Sequence, residues 1–200
     1  CLVGSEMCIR DSYSLLAERN DPGINISTVE DPIEYTLPGI TQCQVNREKG
    51  FDFATALRAF MRQDPDVLLV GETRDLETAK TAIEAALTGH LVLSTLHAND
   101  APSTIARLDE MGVEPFMVSA SLIGIISQRL LRRVCSHCRE PYRPKERELG
   151  RFGLMASREA DVTFYRPHHH RPNEPVCSHC QGSGYKGRVG IYEVLRIQED

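Results

Sequence analysis

The chain has no apolar run that approaches the roughly 18 residues needed to cross a bilayer. Its opening, CLVGSEMCIRDS, carries neither the charged nor the apolar region of a secretory signal. Nor is there an excess of positive charge. With 23 Lys and Arg against 28 Asp and Glu, the formal net charge is −5, which argues against nucleic acid as a direct partner. The local cluster Arg129, Arg132 and Arg133 reads as a solvated helix face, with an acidic partner or lipid head groups as the alternative. Internal repeats are absent, and the only biased tract is His168, His169 and His170.

What is present has the composition of a globular protein: 41% of the residues are hydrophobic and 26% charged, enough in 200 residues for one sizeable core and an appendage. The most telling stretch is QDPDVLLVGETRD, Gln63 to Asp75. Val67, Leu68, Leu69 and Val70 have the length and branching of a strand buried on both faces, and ligands of an open parallel sheet bind beyond the carboxyl ends of its strands. Glu72 would stand in that crevice, where a carboxylate suits a hard cation or an attacking water. A core strand followed by a helix-capping acid fits the same residues.

The flanking pattern repeats the arrangement. Ile24 to Val29 alternates like a strand and ends in Glu30 and Asp31, with Glu34 in the loop beyond Pro32. Asp52 is placed to cap a helix with Phe53, Ala56, Leu57 and Phe60 on one face and Arg58 and Arg62 elsewhere. Asp75 caps a second helix that stops at Thr88 and Gly89, and Leu91 to Leu96 forms a strand that ends at His97. Tyr13 to Glu18 reads as the tail of an earlier helix. Ser103 to Met111 and Pro115 to Arg132, the latter with Phe116, Ile123, Ile126 and Leu130 on a stripe, are expected to be two further helices. Strands and helices in alternation predict an α/β fold with a parallel sheet, in which Glu30, Asp31, Glu72 and His97 converge.

Seven cysteines could suggest a disulfide framework, but four form two pairs, Cys135-x-x-Cys138 and Cys177-x-x-Cys180, with 38 residues between them. Four thiolates complete the tetrahedral shell that Zn²⁺ prefers and leave no open position for a substrate. A structural zinc in a reducing, cytoplasmic compartment is the expectation, with disulfides the alternative. His137 and His179, inside the pairs, are then surplus to the shell. The histidine tract 168–170 is expected in a solvated loop.

Together, VEDPIEY (29–35), RQDPDVLLVGETRD (62–75), TGHLVLSTLHAND (88–100) and the paired CxxC before GYKGRVGIYEVL (184–195) resemble the C-terminal motor domain of the type II secretion and type IV pilus assembly ATPases. The resemblance runs in unbroken order from about residue 12 to residue 200. It implies a RecA-like P-loop NTPase core, a three-layer and mostly parallel sheet, with a four-cysteine zinc-binding subdomain. It also implies a homo-hexamer that hydrolyses ATP with Mg²⁺ at subunit boundaries. Such a motor works in the cytoplasm, peripheral to the inner face of the cytoplasmic membrane, on an inner-membrane platform protein. By position, Glu34 is the general base that orients water, Glu72 holds Mg²⁺ through water, and His97 contacts the γ-phosphate side. Glu30 and Asp31 support the crevice, and Arg58 and Arg62 approach phosphate, from a neighbouring subunit or their own.

One feature of that family is missing. A GxxxxGK[ST] loop belongs near residues 2–9, where this chain reads LVGSEMCI, without the lysine that sits on the β and γ oxygens. Residues 1–11 are therefore expected to be a truncated or non-family leader. Residues 12–133 form the ATPase core, 134–188 the zinc-binding subdomain with its insertion, and 189–200 a truncated return to the core. The 200 residues alone are expected to turn over little ATP. A non-catalytic zinc-ribbon adaptor on an α/β scaffold, and a zinc hydrolase, are the competing readings.

Overall fold

A computed structural model describes residues 2–3, 7–151, 163–169 and 174–197. Within residues 1–129 and 192–200, one compact unit, the order is β1 (Leu2–Val3), α1 (Met7–Arg19), β2 (Ile26–Glu30), β3 (Thr41–Gln44), α2 (Phe53–Phe60), β4 (Val67–Val70), α3 (Leu76–Leu87), β5 (Leu91–Leu96), α4 (Ala101–Glu110) and α5 (Pro115–Ser121). Strand β6 (Gly124–Val134) leads out of this unit and β9 (Tyr185–Arg196) returns to it. The seven strands are ordered β3-β2-β4-β5-β1-β6-β9, and the pairings from β3 through β6 are all parallel.

Strand β4 shows why the sheet needs cover on both faces. Successive side chains of a strand point to opposite sides. Leu68 and Val70 accordingly pack with Phe53, Leu57 and Phe60 of α2 and Ala82 and Ala85 of α3. Val67 and Leu69 pack with Ile9, Tyr13 and Leu16 of α1. All four β4 side chains are buried, each adding about 1.5–3 kcal/mol of transfer free energy. The helices start where the capping acids put them: Asp52 accepts the Thr55 N–H and Asp75 the Thr78 N–H, both at 2.8 Å.

Residues 115–132 do not form the single helix expected of them. Helix α5 ends at Ser121, Leu122 turns extended (φ −86°, ψ 111°), and β6 takes over from Gly124. The reason is a period-2 pattern in a β-branched stretch: Ile125 and Ser127 are buried while their neighbours are not. Arg129, Arg132 and Arg133 therefore lie on a strand and not on a helix face. Near the N-terminus, β1 pairs with both β5 and β6, and α1 begins at Met7. Strand β3, TQCQ, gave no apolar signal because it is half exposed beside β2.

Residues 130–191 form the second compact unit. It contains an antiparallel pair, β7 (Glu140–Tyr142) with β8 (Phe164–Arg166), a short helix α6 (Glu146–Arg151), and both cysteine pairs. Guanidinium–ring stacking supplements its small core: Arg132 lies 4.1 Å from the Tyr185 ring centre and Arg139 3.8 Å from that of Tyr165.

Candidate functional site

Strands β2, β4 and β5 are neighbours, so their carboxyl ends open on one edge. Register sets what meets there: Val29 pairs with Val70 and Val70 with Ser94, leaving Glu30, Glu72 and His97 at adjacent strand tips. A crevice of about 380 Å³ lies over them, lined by Glu30, Asp31, Glu34, Glu72, Arg74, Thr95 and His97. The approach of β4 to β2 depends on Gly71, where a Cβ would meet Glu30 Cα at 3.1 Å and the Val29 carbonyl oxygen at 3.2 Å. Beyond the glycine the chain is fastened to β5: the Thr73 N–H donates to Thr95 O (2.9 Å), and the Thr95 hydroxyl donates to Gly71 O (2.5 Å).

The Glu72 side chain faces this space and is only 15% exposed. Oε2 pairs with the Arg74 guanidinium, and Oε1 lies 2.8 Å from His97 Nε2. That approach lacks hydrogen-bond alignment, and among the described residues Oε1 has no donor although it is fully buried. A buried acceptor without a donor is costly. It fits a water held by a hard cation, for which Glu72, Asp31 and Glu34 supply the oxygen donors. The hydrogen bond and charge of Glu72 raise the pKa of Arg74 above its ordinary value, against a smaller desolvation effect.

Glu34 sits in the loop after β2, its Oε2 3.7 Å from Arg10 Nη2. Asp31 pairs with Arg47 at 3.0 Å. Glu30 is only 1% exposed: Tyr13 donates to Oε2, and Thr28 (2.5 Å) and Gln42 (3.2 Å) donate to Oε1. Burial first, then the bond to Glu30, push the Tyr13 hydroxyl well above its ordinary pKa of 10.0.

The structure does not bring Arg58 and Arg62 to this crevice. Arg58 pairs with Glu77 of α3 at 3.0 Å, and Arg62 is exposed past the end of α2. The cation that does line it, Arg74, escaped the sequence reading; its signal is the position two residues beyond Glu72, past the end of the strand. Of the expected phosphate-loop positions, residues 4–6 lie outside the described residues, as does His170.

In the second unit, Cys135, Cys138, Cys177 and Cys180 bring their sulfurs within 4.8 Å of one another, and none is in a disulfide. The knuckles are shaped by their own main chain: Cys135 N–H donates to Gly184 O (2.9 Å), Arg139 N–H to Cys135 O (3.0 Å), and the Ser183 hydroxyl to Cys180 O (2.7 Å). Gly184 has φ +73°, and a Cβ there would come within 2.8 Å of Pro167 Cβ and 2.9 Å of His168 O. Burial and the neighbouring thiols push Cys138 up to about 12. Burial also opposes ionisation of Cys180, but donors led by the Gly184 N–H bring it down to about 6. This sulfur set, closed and partly buried, fits a thiophilic ion such as zinc. His137 and His179 stack on each other, 4.0 Å between ring centres, and are not among the clustered ligands. His168 is not in a solvated loop: its Nδ1 meets Glu140 at 2.5 Å and its Nε2 meets Glu174 at 3.1 Å.

Residues 11–200 match the model of the type II/IV secretion system protein family. The chain belongs to this family. Over 189 residues it is 52% identical to the type IV pilus assembly ATPase PilB of Thermus thermophilus, a match that covers 94% of this chain and 20% of the relative. It is 50% identical over 187 residues to the type II secretion system protein E of Dickeya dadantii, covering 94% of this chain and 35% of the relative. The chain thus spans between a fifth and about a third of these curated relatives. Among solved structures, the pilus retraction motor PilT with bound ADP is 41% identical, at a TM-score of 0.60 over 68% of this chain and 43% of that one. The Legionella pneumophila ATPase DotB is 28% identical, at a TM-score of 0.56 over 66% of this chain and 40% of that one. Both structural relatives of this family member are ATPases or motors by name.

Proposed function

We propose that these residues are the ATP-hydrolysing part of a motor for type II secretion or type IV pilus assembly. The observation that supports this best is the meeting of Glu34, Glu72 and His97 in one crevice, in a chain 41% identical to a pilus motor solved with ADP. On this reading residues 12–133 are a RecA-like P-loop NTPase core and 134–188 a zinc-binding subdomain. The working form is a homo-hexamer in the cytoplasm, at the inner face of the membrane, driving an inner-membrane platform protein.

Each residue then has a task its surroundings allow. Glu34, on a loop beside the crevice, accepts the proton of the attacking water and orients it. Glu72, with its unsatisfied oxygen free to accept from water and Arg74 keeping the carboxylate turned inward, would help hold a bound Mg²⁺. His97 faces the γ-phosphate side from the tip of β5, and Asp31 and Glu30 shape the floor. Bound Mg²⁺ would neutralise charge developing on the phosphoryl group. Arg58 and Arg62 stand outside their own crevice, so any phosphate contact they make comes from a neighbouring copy. Zn²⁺ on the four cysteines would be structural, since no open position remains for chemistry.

The test is Mg²⁺-dependent ATP turnover by the whole gene product. Glu34→Gln and Glu72→Gln should each reduce it while leaving the fold intact. Turnover that neither substitution changes would reject the assignment. The 200 residues by themselves, without a phosphate-loop lysine, should show little activity.

A further inference from the structure

Tyr13 lies in the middle of α1 with its side chain fully buried and its hydroxyl at a junction of three segments. The hydroxyl has one proton, and it goes to Oε2 of Glu30. That leaves the oxygen to accept, and what it accepts is the backbone N–H of Glu34 at 3.2 Å. The Gln42 amide also approaches the same oxygen, at 3.4 Å. Gln42 in turn donates to the Tyr35 carbonyl (3.2 Å) and to Glu30 (3.2 Å), while its carbonyl accepts the Leu37 N–H at 2.7 Å. The Tyr35 ring meets the Tyr13 ring edge-on, with centres 4.5 Å apart.

From this we infer that Tyr13 and Gln42 are positioning residues, which hold the main chain of residues 34–37 so that the Glu34 side chain enters the crevice at a fixed place. The inference rests on the reading of Glu34 as the base. Residues 31–40 have no helix or strand of their own, so the placement of Glu34 must come from outside the loop. Tyr13 and Gln42 supply it from beneath, through main-chain hydrogen bonds, and leave the Glu34 carboxylate free of them. Glu30 has a different job from that of a crevice ligand. Both of its oxygens are occupied inside the protein, and by taking the tyrosine proton it fixes which way the hydroxyl points. The network joins α1, β2 and β3, so a shift of α1 would be transmitted to the base through the hydrogen bond from the Glu34 N–H to the Tyr13 hydroxyl.

Tyr13→Phe removes the hydroxyl and keeps the ring. Leu16→Val, at a fully buried position of the same helix, serves as the stability control. The first readout needs no turnover: in Tyr13→Phe the Glu34 amide should exchange with solvent about tenfold faster or more, while that of Leu69 in β4 is unchanged. The second is kinetic: in the whole gene product, kcat for Mg-ATP should fall about tenfold with KM held within about twofold, because misplaced geometry costs rate before binding. Leu16→Val should lower the melting temperature without either effect. Unchanged Glu34 exchange in Tyr13→Phe, or a kcat loss no larger than that of Leu16→Val, overturns the inference. Should the wild type hydrolyse no ATP, the reading of Glu34 as a base fails by itself, and the exchange measurement still decides whether the clamp exists.

Discussion

The carboxylate of Glu72 and the imidazole of His97 meet 2.8 Å apart across the tips of two neighbouring parallel strands. Neither is on a strand: Glu72 lies two residues past β4 and His97 one past β5. A main-chain bond from the Thr73 N–H to Thr95 O and a bond from the Thr95 hydroxyl to Gly71 O bind the two strand ends together, so the meeting is set by these contacts and not by the mutual attraction of the pair. Arg74 holds the other carboxylate oxygen. The result is an acid that is fixed in direction yet has a buried oxygen without an aligned donor among the described residues.

An acceptor prepared in this way should matter more to chemistry than to folding. Glu72→Gln keeps the shape and removes the charge, so Mg²⁺-dependent phosphate release in the whole gene product should fall by about 10²-fold or more. Thermal melting of the same variant should shift by only a few degrees, about the effect of a 1 kcal/mol change. A large loss of stability with retained turnover would assign Glu72 to the core instead.

Gly71 carries the opposite expectation. Its missing Cβ lets the backbones of β2 and β4 approach where the crevice begins, and the clashing atoms would be backbone, which cannot rotate away. Gly71→Ala should cost about 1–3 kcal/mol in urea unfolding. Gly150→Ala, with nothing within 4 Å of the new Cβ and a helical setting, should be neutral or slightly stabilising, and it provides the comparison.

The β strands and caps that build the crevice were legible in the sequence because local signals and tertiary demands agree there. VLLV is buried on both faces, and Asp52 and Asp75 cap the helices that flank it. The stretch 115–132 misled because Ile123, Ile126 and Leu130, spaced at three and four, mimic a helix stripe, and only the burial of Ile125 and Ser127 decides the period. Tyr13 and Gln42 carry no signal at all. A buried tyrosine in an amphipathic helix and a glutamine in a polar edge strand become informative only when the fold brings both to Glu30. Arg58 and Arg62 were read from their place in a motif; in this copy Arg58 projects from α2 to Glu77 of α3, and Arg62 lies past the end of the helix.

For the cysteine cluster, elemental analysis of the purified protein should find about one zinc per chain, lost in Cys177→Ser. Gly184→Ala tests the main chain around the metal. Its Cβ would collide with Pro167 and with the His168 backbone, at a φ that disfavours any other residue, while its carbonyl holds the Cys135 N–H. Displacing that outer contact should weaken zinc binding by about 10–100-fold with all four ligands intact, as measured by competition with a chelator.

His168 makes the second unit sensitive to pH. The hydrogen bond to Glu140 leads in raising its pKa above 6.5, with Glu174 adding to it and desolvation opposing. A raised folded-state pKa stabilises through the protonated form: the contribution is complete below pH 6.5 and disappears as pH rises through the folded value, which lies higher. Glu140 runs the other way. His168 and then Arg166 hold its pKa below 4.5, so its contribution is present above that value and is lost as acid carries the pH through the lower folded one. The β7–β8 pair, which carries Glu140 opposite Arg166, should therefore be firmest in mildly acidic solution and loosen on the alkaline side of neutrality. Following the His168 ring proton by NMR should give a midpoint above 6.5 that moves down in Glu140→Gln. Hydrogen exchange at the Glu140 and Tyr142 amides should speed up between pH 6.5 and the folded midpoint, after correction for the intrinsic rate. A midpoint that ignores the loss of the Glu140 charge would mean the 2.5 Å contact does not persist in solution.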